Sequence, residues 1–246
     1  MSLLDAVKAV GPIPPSGKGN AAREARSNYA GQLARHLAWE VAEGLRAVGF
    51  KGIKPKRGGP GEREFQGGLG PKKVDVSHAD DRHGLMLAIS LKSITSQPYG
   101  KNLKNRFYDL CPEAISLHLR FPYSVVCALF CFPEAADRDV TRGRPVSTFQ
   151  RARKLLGTIS GRQEYVDPGE KFENITMILF QPVTDDPSRE PWLKLVDSVT
   201  GRELSETEYF DTIRQLYNRR NPLAAIGSDV INLEEESAED SGSDDE

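Results

Sequence analysis

The stretch PKKVDVSHADDRHGLMLAISLKS, residues 71–93, holds the side chains best suited to chemistry. In its apolar run LMLAISLKSI, Ser90 and Lys92 stand two apart. On a strand they share a face with Ala88, while Leu87, Ile89 and Leu91 take the other. Surface alternation does not explain a polar pair set inside an apolar run. A lysine in such a sheet needs a carboxylate or phosphate partner, because a buried unpaired charge is costly. Asp75, with 14 residues between it and Ser90, is the available one. An Asp, a second oxygen ligand and a main-chain carbonyl, here that of Leu91, can hold Mg²⁺ or Mn²⁺ with waters completing the shell. The lysine can orient or deprotonate an attacking water and stabilise charge building on a phosphate. The plainer alternative is an Asp75–Lys92 salt bridge, which leaves the basic loop beside it unexplained.

These residues resemble the PD-(D/E)xK nucleases, whose mark is an Asp on one strand and an acid-x-Lys on the next. Gly70, Pro71, Val74, Asp75 and Val76 look like the first half, and Ile89, Ser90, Leu91 and Lys92 like the second. The helix that follows, with Asn105, Arg106 and Asp109, and the strand after Pro122 match the family's order of elements, so the resemblance covers residues 21 to 132. It implies an α/β, restriction-endonuclease-like fold with a central mixed sheet flanked by helices. The implied activity is metal-dependent hydrolysis of DNA phosphodiester bonds, as in restriction or phage defence. Ser90 departs from the pattern, since a neutral hydroxyl binds a hard cation less well than a carboxylate does. Two glutamates are candidates to replace the missing acid: Glu64, in GEREFQGG before the Asp75 strand, with Glu62 as its neighbour, and Glu40, beside the apolar stripe of the first helix. The expected catalytic set is thus Asp75, Lys92, Ser90, Glu64 and Glu40, and the metal set Asp75, Leu91, Glu64 and Glu40. The alternative is an inactive nuclease fold that binds DNA or protein.

Charge points the same way. The net charge is -2, but eight acids lie in EEESAEDSGSDDE from Glu234 onward, and without them 33 bases face 27 acids. Lys54, Lys56, Arg57, Lys72 and Lys73 cluster in a Gly- and Pro-rich stretch, and Lys101, Lys104, Asn105 and Arg106 follow a segment free of acids. Such clusters suit a phosphate backbone, where neutralisation releases counterions, so DNA is the expected partner, with a homodimer mate or a defence-complex subunit as further candidates.

The elements that must position these residues follow from periodicity. Residues 1–20 read as a flexible segment, 21–233 as one nuclease-like domain and 234–246 as a disordered acidic tail. Within the domain, a core over 21–132 precedes additional helices and strands over 133–222. Ala30, Leu33, Ala34, Leu37, Val41, Leu45 and Val48 make a helix of residues 21–48, ended by Gly49. KKVDVSHA and LMLAISLKSI form a hairpin, a helix runs over 102–120, and YSVVCALFCF and NITMILFQPV are apolar strands. Residues 144–160 and 206–219 are helical, with a hairpin around Thr200 and Gly201 between them. Cys127 and Cys131, on one face of a strand, read as core residues. His78, Asp80, Asp81 and His83 read as turn residues and GPIPPSGKG as no phosphate loop. No stretch has the length of a membrane span, and the protein is expected in the cytoplasm.

If the acidic tail competes with phosphate for the basic surface, deleting residues 234–246 should tighten DNA binding at low salt, with a difference that shrinks as ionic strength rises. Fluorescence anisotropy at two salt concentrations measures this. A tail that touches nothing leaves the affinities equal at both.

Overall fold

A computed structural model describes residues 2–227, and the tail at 234–246 lies outside them. The elements, in chain order, are α1 (Leu3–Val10), α2 (Asn20–Ala47), β1 (Arg63–Gly67), β2 (Gly70–Val74), β3 (Val76–Asp80), β4 (Gly84–Ser93), α3 (Tyr99–Arg120), β5 (Val125–Pro133), α4 (Thr148–Gly157), β6 (Asn174–Gln181), β7 (Trp192–Asp197), β8 (Glu203–Leu204) and α5 (Glu206–Arg220).

A strand covered on both faces reads as a continuous apolar run, and β4, β5 and β6 have that character. They pair in parallel at the centre of a mixed sheet ordered β3-β4-β5-β6-β7-β8, with β3, β7 and β8 added antiparallel. Parallel neighbours need long crossovers. Here α3 and α4 supply them, packing together on one face, where Leu110, Ala114, Leu117, Phe149 and Leu156 meet Ala88, Val126, Ala128 and Phe130. On the other face α1, α2 and α5 set Leu33, Leu37, Val41, Leu45, Tyr209 and Ile213 against Ile89, Leu91, Cys127, Leu129 and Cys131. Both strand cysteines are buried and free, as the apolar setting of each required. The chain is therefore an α/β protein with a six-stranded mixed sheet flanked by helices.

The helix expected over 21–48 is α2, buried at Tyr29, Leu33, Leu37, Val41 and Leu45, a four-residue spacing that follows the helical turn. Gly44 lets α5 approach, since a Cβ there would lie 2.1 Å from the Phe210 ring. Residues 133–222 complete the sheet and both helical layers.

Two expectations are corrected. Residues 3–10 are no flexible segment: α1 buries Leu3, Ala6 and Val7 in the α2 core, and the Leu3 amide donates to Glu206 Oε1 at 2.9 Å. Nor is KKVDVSHA one strand. It breaks at Asp75 into β2, which pairs with β1 in a separate two-stranded sheet, and β3, which pairs with β4. Part of the Gly-rich loop before it is β1. That hairpin seats on α3 through glycine: the Gly68 amide donates to the Ser116 carbonyl at 2.7 Å, and a Cβ on Gly67 would lie 2.3 Å from Ser116 Oγ.

Since Leu3 is wholly buried, Leu3→Ala should cost roughly 2–5 kcal/mol through lost transfer energy and the cavity left behind. Urea unfolding reads this directly. A loss below about 0.5 kcal/mol, typical of surface positions, would mean that α1 is not part of the core.

Candidate active site

Because strand β2 gives way to β3 at Asp75, this carboxylate stands at the junction of the two sheets, beside the second half of β4. The Leu91 amide donates to Asp75 Oδ2 at 2.7 Å. That bond holds the carboxylate against the main chain between Ser90 and Lys92. The register agrees, for Val76 faces Ile89 across the hairpin.

The alternation of β4 turns Ser90 and Lys92 toward α3, and there the structure supplies a residue that sequence reasoning missed. Glu113 Oε2 accepts from Lys92 Nζ at 2.9 Å, and Glu113 Oε1 accepts from the Ser90 hydroxyl. Lys92 Nζ also lies 3.3 Å from Ser90 Oγ, so the hydroxyl accepts from the ammonium and donates to the carboxylate. Glu113 is buried, 8% exposed, on the same stripe of α3 as Leu110, Ala114 and Leu117. An acid within the apolar stripe of the helix after β4 was the available signal. It was lost because 23 residues separate it from Ser90.

The electrostatics are those of a compact, mixed-charge site. Burial raises the Asp75 carboxyl to about 6; Lys92 and the Leu91 amide oppose this, while Glu113 and Glu62 add to it. Burial also works against the Lys92 ammonium, but Glu113 and Asp75 outweigh it and hold its pKa above the ordinary lysine value. Lys92 is therefore protonated near neutral pH. As an ammonium it can orient a water or neutralise a phosphate, the first of these being one of the two roles expected for it.

The other expected residues divide between two neighbourhoods. Glu64, Glu62, Lys73 and Asp75 line a cavity of about 650 Å³ with Trp39 and the glycines of residues 58–61. Glu64 is exposed on β1 opposite Lys73, within the same cavity as Asp75 but without contact to Ser90 or Lys92. Glu40 is buried in α2 and paired with Arg57, one of the expected DNA contacts. Neither glutamate occupies the place beside Ser90.

No family model matches this sequence, and no curated protein does. Among solved structures, the central domain of yeast acetyl-CoA carboxylase aligns at 10% identity and a TM-score of 0.32, over 87% of this chain and 29% of that one. So slight a likeness carries no argument, and the chain spans less than a third of that structure's length.

Of the expected basic residues, Lys73 borders the cavity at Asp75 and Arg106 acts on Lys92, while the others lie along the same elements or the preceding loop. Lys73 lines the cavity beside Asp75 and lies 4.0 Å from Glu62; Lys72 shares its strand, and Lys56 is exposed in the preceding loop. Lys54 is half-buried, its backbone bridged to Ser77. Lys101, Lys104, Asn105 and Arg106 are exposed along the first turns of α3. Lys104 lies over the Tyr108 ring, and Arg106, paired with Asp109 at 3.2 Å, makes its charge felt at Lys92. Of the four residues expected in a turn, His78 and Asp80 instead lie on β3, and His83 just beyond it pairs with Asp80 at 2.9 Å.

The raised Asp75 pKa has a signature in stability. An unfolded Asp titrates near about 3.9 and the folded one at about 6, so between these values the folded state holds more protons. Its contribution to stability must fall as pH rises through that window. In EDTA, urea unfolding at several pH values should show Asp75→Asn gaining on the parent as pH rises from about 4 to 6.5. Parallel profiles would mean that Asp75 is not desolvated.

Proposed function

We propose that this chain is a metal-dependent DNA endonuclease, and that Glu113 supplies the carboxylate its acid-x-Lys motif lacks. The observation that supports this reading is the Glu113 carboxylate held on the Ser90–Lys92 pair, next to Asp75.

The donor set fits Mg²⁺ or Mn²⁺. Asp75 and Glu113 are hard oxygen ligands, and Mg²⁺ commonly takes one or two carboxylates and keeps several waters. Among the described residues no three His, Cys, Asp or Glu side chains converge into a cage, so waters and main-chain oxygen would complete the shell. Asp75, raised toward neutrality by burial, is a carboxylate that a nearby cation would return to its ionised form. When bound, the metal supplies positive charge against the scissile phosphate.

The chain's own residues do the rest. Lys92, kept as an ammonium, faces the charge that builds on the phosphate and orients the attacking water. Ser90 fixes the lysine through its hydroxyl, a positioning role in place of a ligand. The Leu91 amide holds Asp75 in line. Lys73 and the exposed face of α3 bring bases to the strands on either side, so that binding energy aligns the phosphodiester with the site.

A plasmid-nicking assay with Mg²⁺, with Mn²⁺ and with EDTA tests the reading. Lys92→Ala should abolish cleavage with DNA affinity kept within about tenfold, because many other bases contact the backbone. Glu113→Gln should lower cleavage by about a hundredfold or more, near 3 kcal/mol of transition-state stabilisation, and Ser90→Glu in that background should restore part of it. Circular dichroism checks that the variants fold, since breaking a buried ion pair is itself costly. Binding without cleavage by the parent protein in either metal would leave a nuclease-fold binding module.

A further inference from the structure

At the other end of β4 the charge balance is reversed. Glu173, only 4% exposed, is shared by three cationic or potentially cationic groups. Arg162 Nη1 lies 2.7 Å from Oε1, Arg220 Nη2 3.3 Å from Oε1, and His118 Nε2 3.3 Å from Oε2, which also accepts from the Val126 amide at 2.8 Å. Two buried guanidiniums thus share one buried carboxylate. Asp167, whose exposed carboxylate acts on Arg162, is engaged with the amides of Gln163 and Glu164 at 2.8 and 3.0 Å.

The two arginines are not equally satisfied. Arg162 donates to Glu173 and to the carbonyls of Tyr165, at 2.6 Å, and Asp167, at 3.5 Å. Arg220 donates through Nη2 to the Gln163 carbonyl at 2.8 Å, but its buried Nη1 has no partner. Carbonyl dipoles can satisfy donors; they cannot cancel a net charge, and a buried cation without full compensation is costly. The Arg220 side chain, 8% exposed, forms a wall of a pocket of about 280 Å³. Arg120, His83, Ser124, Asn221 and Tyr123 also line it, and no acid does. Arg120 is exposed and makes no ion pair among the described residues. His83 is already held by Asp80, so the two arginines carry the site.

We infer that this pocket binds a phosphate-bearing anion between Arg120 and Arg220, with the Arg220 guanidinium turning its unpaired Nη1 to the ligand. Paired arginines suit phosphate, because each presents a planar fork of donors to its oxygens. Met86, at the start of β4, lines the pocket, and six residues of strand to Lys92 put the two sites roughly 20 Å apart. The inference is thus independent of the nuclease reading. A backbone phosphate of bound DNA and the phosphate of a small molecule share this chemistry.

Inorganic phosphate, titrated into the full chain against chloride at matched ionic strength, should raise the Tm saturably. Arg120→Gln, on the surface and clear of the buried network, should fold as the parent does and weaken phosphate at least tenfold. Arg220→Gln should do the same; should it fail to fold, Arg120→Gln still decides. Anisotropy with duplex DNA in EDTA separates the sources. Weaker DNA binding by Arg120→Gln, with a salt slope smaller by about 1, assigns the pocket to a backbone phosphate; unchanged DNA binding alongside lost phosphate binding assigns it to a small phosphorylated ligand. A phosphate effect no greater than chloride's, or one that Arg120→Gln leaves intact, overturns the proposal.

Discussion

An ammonium group carried into a sheet dictates what surrounds it, and much of this structure follows from Lys92. Burial alone would drive the proton off, so carboxylates must stand close, and Glu113 and Asp75 do. Glu113 can reach Lys92 only if α3 lies over β4 in one register, and Leu110, Ala114 and Leu117 seat it there. The same helix then offers Ser116 to the β1–β2 hairpin, which closes on it through Gly67 and Gly68. That hairpin forms a side of the cavity beside Asp75. A requirement for charge compensation at one atom thus reaches the placement of a crossover helix and a separate small sheet.

The small hydroxyl at 90 belongs to this solution. With Glu113 already bonded to Lys92, a glutamate at 90 would bring a third carboxylate next to Asp75 and Glu113, and like charges so placed raise one another's pKa. Serine avoids that and still serves both partners, accepting from Lys92 and donating to Glu113. Two carboxylates, Asp75 and Glu113, then face one ammonium, with Glu113 contributed by the helix. Asp75 stays desolvated beside them, and that burial raises its pKa.

How legible all this was depended on range. The β3–β4 turn, the apolar strands, the long helix and the place of Lys92 were written in local periodicity, and the structure has them within a few residues. The break at Asp75 was not, because β2 and β3 read as one alternating run and only their partners, β1 and β4, separate them. Helix α1 was missed because eight residues beside a Pro- and Gly-rich stretch give a weak helical signal, and its stability comes from packing on α2. The missing acid was sought nearby, at Glu64, and on the first helix, at Glu40. Glu64 does share the cavity with Asp75, but Arg57 engages Glu40. Finding Glu113 required knowing how α3 rotates about its axis, and an apolar stripe leaves that rotation loosely defined.

Directional contacts narrow it. Hydrophobic contact is roughly proportional to area and indifferent to direction, so the stripe of α3 would tolerate some sliding over β4 and β5. Glu113 and His118 tolerate little. Glu113 must meet Ser90 and Lys92 on β4, while His118 must sit between the Gly169 carbonyl and Glu173, beyond β5. Two buried polar contacts five residues apart on one helix, one to β4 and one to the segment before β6, fix both its rotation and its translation. Either contact alone leaves one of these free. The two charge clusters at opposite ends of the sheet are therefore mechanically joined through α3, which crosses from β4 to β5 and carries an essential member of each.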